Sequence, residues 1–98
     1  MTAMTASPDF STARRIRAGI DAAMEDSRAG NVADVLRAAP DDPRGAVYVV
    51  RLLECVPGIG KVVARRIAAE QGHDGMTRVS DLSVAEREDL VRILDGPA

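Results

Sequence analysis

Apolar residues recur at helical spacing in three stretches of this chain. Ile16, Ile20, Ala23 and Met24 share one face of an amphipathic helix predicted over 12–29, started by Ser11 and stopped by Gly30-Asn31. Val63, Ala64 and Ile67 face inward on a helix predicted over 61–71 and closed by Gly72. Val84, Leu90, Val91 and Leu94 form the buried side of a helix over 83–94. Ser83 opens that helix with Glu86 three residues on, the capping-box pattern. Val32, Val35 and Leu36 describe a short helix capped by Asn31, and Pro40-Asp41-Asp42-Pro43 breaks the chain after it. The run GAVYVVRLLECV over 45–56 is less decided. Its β-branched VYVV suits a strand, but no second strand candidate exists to pair with it, so it reads as a buried helix ending at Pro57. HDGMTRVSDL is a long turn. The pattern predicts an all-α fold: a flexible tail over 1–11, then a single helical domain over 12–98, divided into a helix over 12–29 and a region over 31–98.

Composition narrows this picture. Ninety-eight residues make one domain with a modest core. Hydrophobic residues make up 46%, yet there is one Phe, one Tyr and no Trp, so the core is built from Ala, Val, Leu and Ile. Cys55 is the only cysteine, which excludes an internal disulfide and reads as a small buried hydrophobe. One His and one Cys do not make a zinc site, and no metal or cofactor is expected. His73 reads as a solvated turn residue. Asp41-Asp42 follow turn preference, and Glu86, Glu88 and Asp89 read as a solvated helix face, so no catalytic pair and no enzyme are indicated. The beginning MTAMTASPDF lacks a charged and apolar leader, and no apolar run approaches the ~18 residues of a membrane span. The expectation is a cytoplasmic protein without membrane or small-molecule partners.

Charge changes the picture again. The formal total is −2, with a pI near 5.3, which alone argues against indiscriminate nucleic-acid binding. The charges are polarised, however. Arg14, Arg15 and Arg17 stand together without an acid, and Arg51, Lys61, Arg65 and Arg66 outnumber Glu54 and Glu70 over 51–72. Between the apolar run and the basic helix lies VPGIGK, residues 56–61. A glycine inside a regular element costs about 1 kcal/mol relative to alanine, so two in one short stretch indicate a use for the backbone. Helix, glycine turn, then a helix opening on lysine is the arrangement of a backbone anion site: the turn approaches a phosphate closely, and free N–H groups point out with the positive end of the helix dipole. Arg65 lies one turn beyond Lys61 on the same face. A tight helix–helix corner is the alternative use of PGIG. A Walker-type nucleotide loop is excluded, since it needs GxxxxGK[ST] after a strand.

LECVPGIGKVVARRI, residues 53–67, resembles the hairpin of the helix-hairpin-helix and helix-two-turns-helix families. The order ARRIRAGIDAAMEDSRAGNVADVL, RLLECVPGIGKVVARRIAAEQG and TRVSDLSVAEREDLVRIL is similar to the actinobacterial integration host factor family over most of the chain. The resemblance implies a long N-terminal helix followed by a helix-two-turns-helix domain that binds and bends double-stranded DNA with little sequence preference, at the nucleoid. It places the backbone at Pro57, Gly58, Ile59 and Gly60, and the side chain of Lys61, on phosphates, with Arg65 and Arg66 near them. Arg78 matches a basic position of the second DNA-contacting turn, and Arg14, Arg15 and Arg17 match the basic N-terminal helix.

Three features depart from the family pattern: the net negative charge, Gly58 where relatives can carry another basic residue, and Glu86, Glu88 and Asp89 on the last helix. They leave a second reading open, a protein-interaction module whose acidic last helix docks a basic partner. A single-strand or RNA binder is disfavoured by the scarcity of aromatic stacking platforms. No base-reading helix is apparent. As wedges for DNA bending only Phe10 and Met76 are available.

Overall fold

A computed structural model describes residues 10–95; residues 1–9, 96–98 and the side chain of Phe10 lie outside the described residues, and with them most of the expected tail and one of the two wedge candidates. Five α-helices follow one another: α1 (Phe10–Arg28), α2 (Val32–Leu36), α3 (Val49–Glu54), α4 (Gly60–Glu70) and α5 (Val84–Leu94). Short 3₁₀ turns at Pro43–Ala46 and Val79–Asp81 complete the path. The fold is all-α, with a long N-terminal helix.

α1 begins two residues earlier than the pattern predicts, at Phe10, and Ser11 lies inside it. Its N-terminal half projects from the body: residues 11–18 are all exposed, including Ile16, which the periodicity places inward. Close backbone contact begins at Gly19, where an added Cβ would lie 2.2 Å from the carbonyl oxygen of Pro43. From there a stripe at helical spacing seats the helix. Ala23 is fully buried, Asp26 accepts from Arg44 Nη1 at 2.8 Å, and the buried Ser27 hydroxyl donates to the carbonyl of Leu52 at 2.8 Å. The helix ends in a Schellman motif, Gly30 N–H to Ser27 O and Asn31 N–H to Asp26 O. Asn31 sits at the α2 cap position but makes no side-chain capping bond.

The stretch 45–56 is not one helix. Val47 and Tyr48 are extended, and only Val49–Glu54 is helical. Val47 and Tyr48 have found a partner after all: Val49 N–H donates to Thr77 O at 2.8 Å and Val79 N–H to Val47 O at 3.0 Å, an antiparallel bridge between Tyr48 and Arg78. The turn that supplies the partner has no strand pattern of its own, being braced by Asp74, which accepts from Met76 N–H and the Thr77 hydroxyl.

The core joins Val35 and Leu36 of α2, Val47, Val49, Leu52 and Leu53, Ala64 and Ala68 of α4, Val79, and Leu90 and Val91 of α5. Val63 and Val84, both expected inside, are 37% and 78% exposed. Small Ala64 and Ala68 take the inward places on α4 and allow close approach to α3, while Arg87 takes the inward place one turn beyond Val84. Arg87 is buried because it serves two carbonyls: Nη1 donates to Ala38 O at 2.9 Å, just past the C-terminus of α2, and Nε to Leu82 O at 3.3 Å, just before α5. His73 is likewise buried rather than solvated. It follows Gly72 in a second Schellman motif, its N–H bonded to Ala68 O at 2.9 Å, and the motif folds it back on α4. Cys55 is half-buried at the C-terminal end of α3, not a core residue.

Two predictions follow from these contacts. Alanine at an unconstrained helical glycine stabilises, but Gly19→Ala meets the Pro43 backbone, so it should destabilise by about 1–3 kcal/mol and lower the melting temperature by roughly 5–20 °C. An unchanged or raised melting temperature would show the contact to be loose. Second, three carboxyls sit below their ordinary values: Asp42 through the Arg44 side chain and N–H, Glu88 through Arg37, and Glu86 through the Ser83 N–H. Depressed carboxyls stabilise above their unfolded values and lose that contribution as pH falls through the folded ones. Melting temperature should therefore stay level from neutrality to roughly pH 5 and fall progressively below about pH 4. Asp42→Asn should start lower and fall less steeply.

Candidate nucleic-acid interface

The hairpin between α3 and α4 is built by local rules. Pro57 cannot continue α3, and Ile59 N–H closes a turn on Val56 O at 3.1 Å. Gly58 and Gly60 have φ of +87° and +73°, a conformation that L side chains rarely adopt. A Cβ at either would meet nothing within 4 Å, so the outer face of this backbone is bare. Ile59, between them, is half-buried against the core and holds the turn to the body.

α4 starts at Gly60 with Ile59 in the capping position, and an isoleucine side chain accepts no hydrogen bond. The amides of Gly60, Lys61 and Val62 find no acceptor among the described residues. α5 is the contrast. There Ser83 Oγ accepts from Glu86 N–H at 3.1 Å and Glu86 Oε1 from Ser83 N–H at 2.8 Å. One helix satisfies its first turn from within, whereas the other presents outward donors at the positive end of its dipole.

Ten of the thirteen cationic side chains fall into two groups. Arg37 forks onto Glu88 with both bonds at 2.9 Å, Arg44 binds Asp26 and Asp42, Arg92 pairs with Asp89, and Arg87 binds carbonyls. Lys61, Arg65 and Arg66 are exposed and have no carboxylate partner among the described residues. Exposed Arg14, Arg15 and Arg17, on the projecting half of α1, are the same. The acids expected to give α5 a free negative face are engaged: Glu86 in the cap, Glu88 on Arg37 and Asp89 on Arg92.

Arg78 plays a role that the sequence does not announce. Its Nη1 donates to Ala46 O at 2.9 Å and Nη2 to the Tyr48 hydroxyl at 3.3 Å, with the guanidinium 4.7 Å above the Tyr48 ring. It clamps the bridge between the two turns. Arg15 and Arg78 line one hollow with Pro40 and Pro43, and Lys61 and Arg65 line another. Of the predicted side chains, Lys61 and Arg65 thus meet at the hairpin, and Arg15 and Arg78 where α1 passes the second turn, whereas Arg14, Arg17 and Arg66 line neither hollow. Arg51 also joins the hairpin group. Its signal was present: a lone cation in the apolar run VYVVRLL has to reach the surface.

No protein-family model matches the chain, and no curated protein matches it. Among solved structures, one described as the structure of sIHF bound to an 8bp palindromic DNA is similar at a TM-score of 0.72 and 25% identity, covering 86% of this chain and 98% of that one. The fold of this chain is therefore like that of an integration host factor.

If Arg78 is first a clamp, Arg78→Ala should cost about 1–3 kcal/mol, from a hydrogen bond to a charged group and the stacking over Tyr48, and lower the melting temperature accordingly. Arg66→Ala, on an exposed and unpaired residue, should change it little. Equal melting of the two variants would remove the clamp.

Proposed function

We propose that this chain is a non-catalytic, divergent acidic relative of the actinobacterial integration host factors, binding duplex DNA through phosphates with little regard to sequence and acting at the nucleoid. The observation that carries this reading is the uncapped first turn of α4, preceded by two glycines with a bare outer face and flanked by unpaired Lys61, Arg65 and Arg66. Such a surface is complementary to phosphate oxygens. The similar structure was solved with DNA bound, which supports the same class of partner here. What the surface offers supports sequence tolerance. Backbone amides and cations meet phosphates, and no Asn or Gln stands between 56 and 67 to read a base edge. DNA bending, implied by the resemblance, has the 68% exposed Met76 as its described wedge.

The net charge of −2 does not oppose this reading. From 51 to 66 four cations face one carboxylate, Glu54, and steering depends on the local field rather than the total. The protein-docking reading has less support. Arg37 and Arg92 pair with two of the acids of α5, Glu88 and Asp89, which reduces the negative charge offered to a basic partner.

The test is duplex binding as a function of salt. With about three to five phosphate contacts, log affinity against log salt should slope at roughly −3 to −5. Lys61→Ala should weaken binding modestly and reduce the slope by about 1. Gly60→Val should weaken it more, since valine resists a φ of +73° and screens several amides at once. Melting curves of both variants establish that they are folded. A slope near zero, or a folded Gly60→Val that binds like the parent, would refute phosphate binding by the hairpin.

A further inference from the structure

Beside the hairpin, the last turn of α1, α3 and the start of α4 enclose an open hollow of about 660 Å³. Four cations line it: Arg28, Arg51, Lys61 and Arg65. Glu54 is its one carboxylate. Lys61, Arg65 and Arg51 have no carboxylate partner among the described residues, and Arg51 rests only on the thioether of Met24, with Nη2 3.9 Å from Sδ. Arg28 has a loose, solvent-exposed pairing with Glu25 at 3.6 Å. An exposed pair of this kind contributes little and yields easily to a stronger anion.

Converging four cations on one concavity is unfavourable unless an anion occupies it, and concave walls concentrate the field. The lining decides which anion. Pockets for small molecules are mostly apolar with a few polar anchors, whereas here cations predominate and Met24 and Cys55 are the less polar exceptions. Two of the four, Lys61 and Arg65, also stand at the hairpin amides. We propose that the hollow continues the hairpin's phosphate track: a DNA strand held by the amides of α4 passes its next phosphates into the hollow, where Arg28 and Arg51 bind them. The inference rests on the duplex-DNA reading and extends the interface from the two turns to the seam between α1, α3 and α4.

Cys55, the only cysteine, lines the hollow and is half-buried, which makes it a local reporter. The full chain is alkylated with iodoacetamide alone, with saturating duplex, or with inorganic phosphate. In parallel, the salt dependence of duplex binding is measured for the parent and for Arg28→Ala/Arg51→Ala. Duplex should suppress alkylation of Cys55, and the double variant should retain binding at low salt with a slope smaller by about 2. An unchanged slope overturns the proposal whatever Cys55 does. If the double variant fails to fold, Cys55 in the parent decides: free-rate alkylation under saturating duplex overturns the track, and suppression upholds it. Protection by phosphate but not by duplex identifies a small-anion site and also overturns it. A parent that binds no duplex at all is a different failure, which removes the DNA reading itself.

Discussion

The seating of α1 on the body is the constraint from which the rest of the surface follows. Gly19 lets the helix backbone meet the carbonyl of Pro43, Asp26 takes Arg44, and the Ser27 hydroxyl satisfies the Leu52 carbonyl on α3. These residues form one stripe along the helix, so the three contacts act together and set its position. Because the stripe starts only at Gly19, the preceding turns with Arg14, Arg15 and Arg17 stand away from the core. Because it ends at Ser27, Arg28 is delivered to the hollow beside α3 and α4. A buried hydroxyl–carbonyl bond contributes only about 1 kcal/mol net, but leaving either group unpaired costs more, which makes the alignment selective.

Charge is arranged by pairing rather than by total. Arg37 with Glu88 and Arg44 with Asp26 join elements, Arg44 with Asp42 braces a turn, and Arg92 with Asp89 lies within α5; each pair takes up an acid of the surface. The exposed pairs among them, Arg37 with Glu88 and Arg92 with Asp89, add little stability. Their larger effect is on the field. What remains unpaired is mostly positive near α4 and along the first half of α1, so an acidic protein presents basic ground to a polyanion.

The helix ends show the same division between internal and external use. Side-chain capping is worth about 1 kcal/mol, and α5 has it in full through Ser83 and Glu86. α4 forgoes it. Ile59 anchors the turn in the core, where a serine would have capped the helix, and the donors stay open. Local rules of stability are broken at one helix start and kept at the other, which is the pattern expected where a backbone has to meet a ligand.

Much of this was legible in the chain because it is local. The stops at Gly30 and Gly72, the Ser83–Glu86 box, the helices near 61–71 and 83–94, and the glycine turn of VPGIGK depend on residues within a few positions of one another, and their periodicity and backbone preferences determined them without the rest of the molecule. The features decided by tertiary structure join residues far apart. Val47 and Tyr48 became extended because a turn thirty residues on supplied the bridge, and Arg78 became a clamp because that bridge set it over Tyr48. Val63 and Val84 went to the surface because alanine and Arg87 filled the space that the hydrophobic pattern had given them. The hollow of Arg28, Arg51, Lys61 and Arg65 draws on three helices. Spacing along the chain determines which face of one helix is apolar, but only packing determines which faces of different helices meet, and therefore which cations share a phosphate.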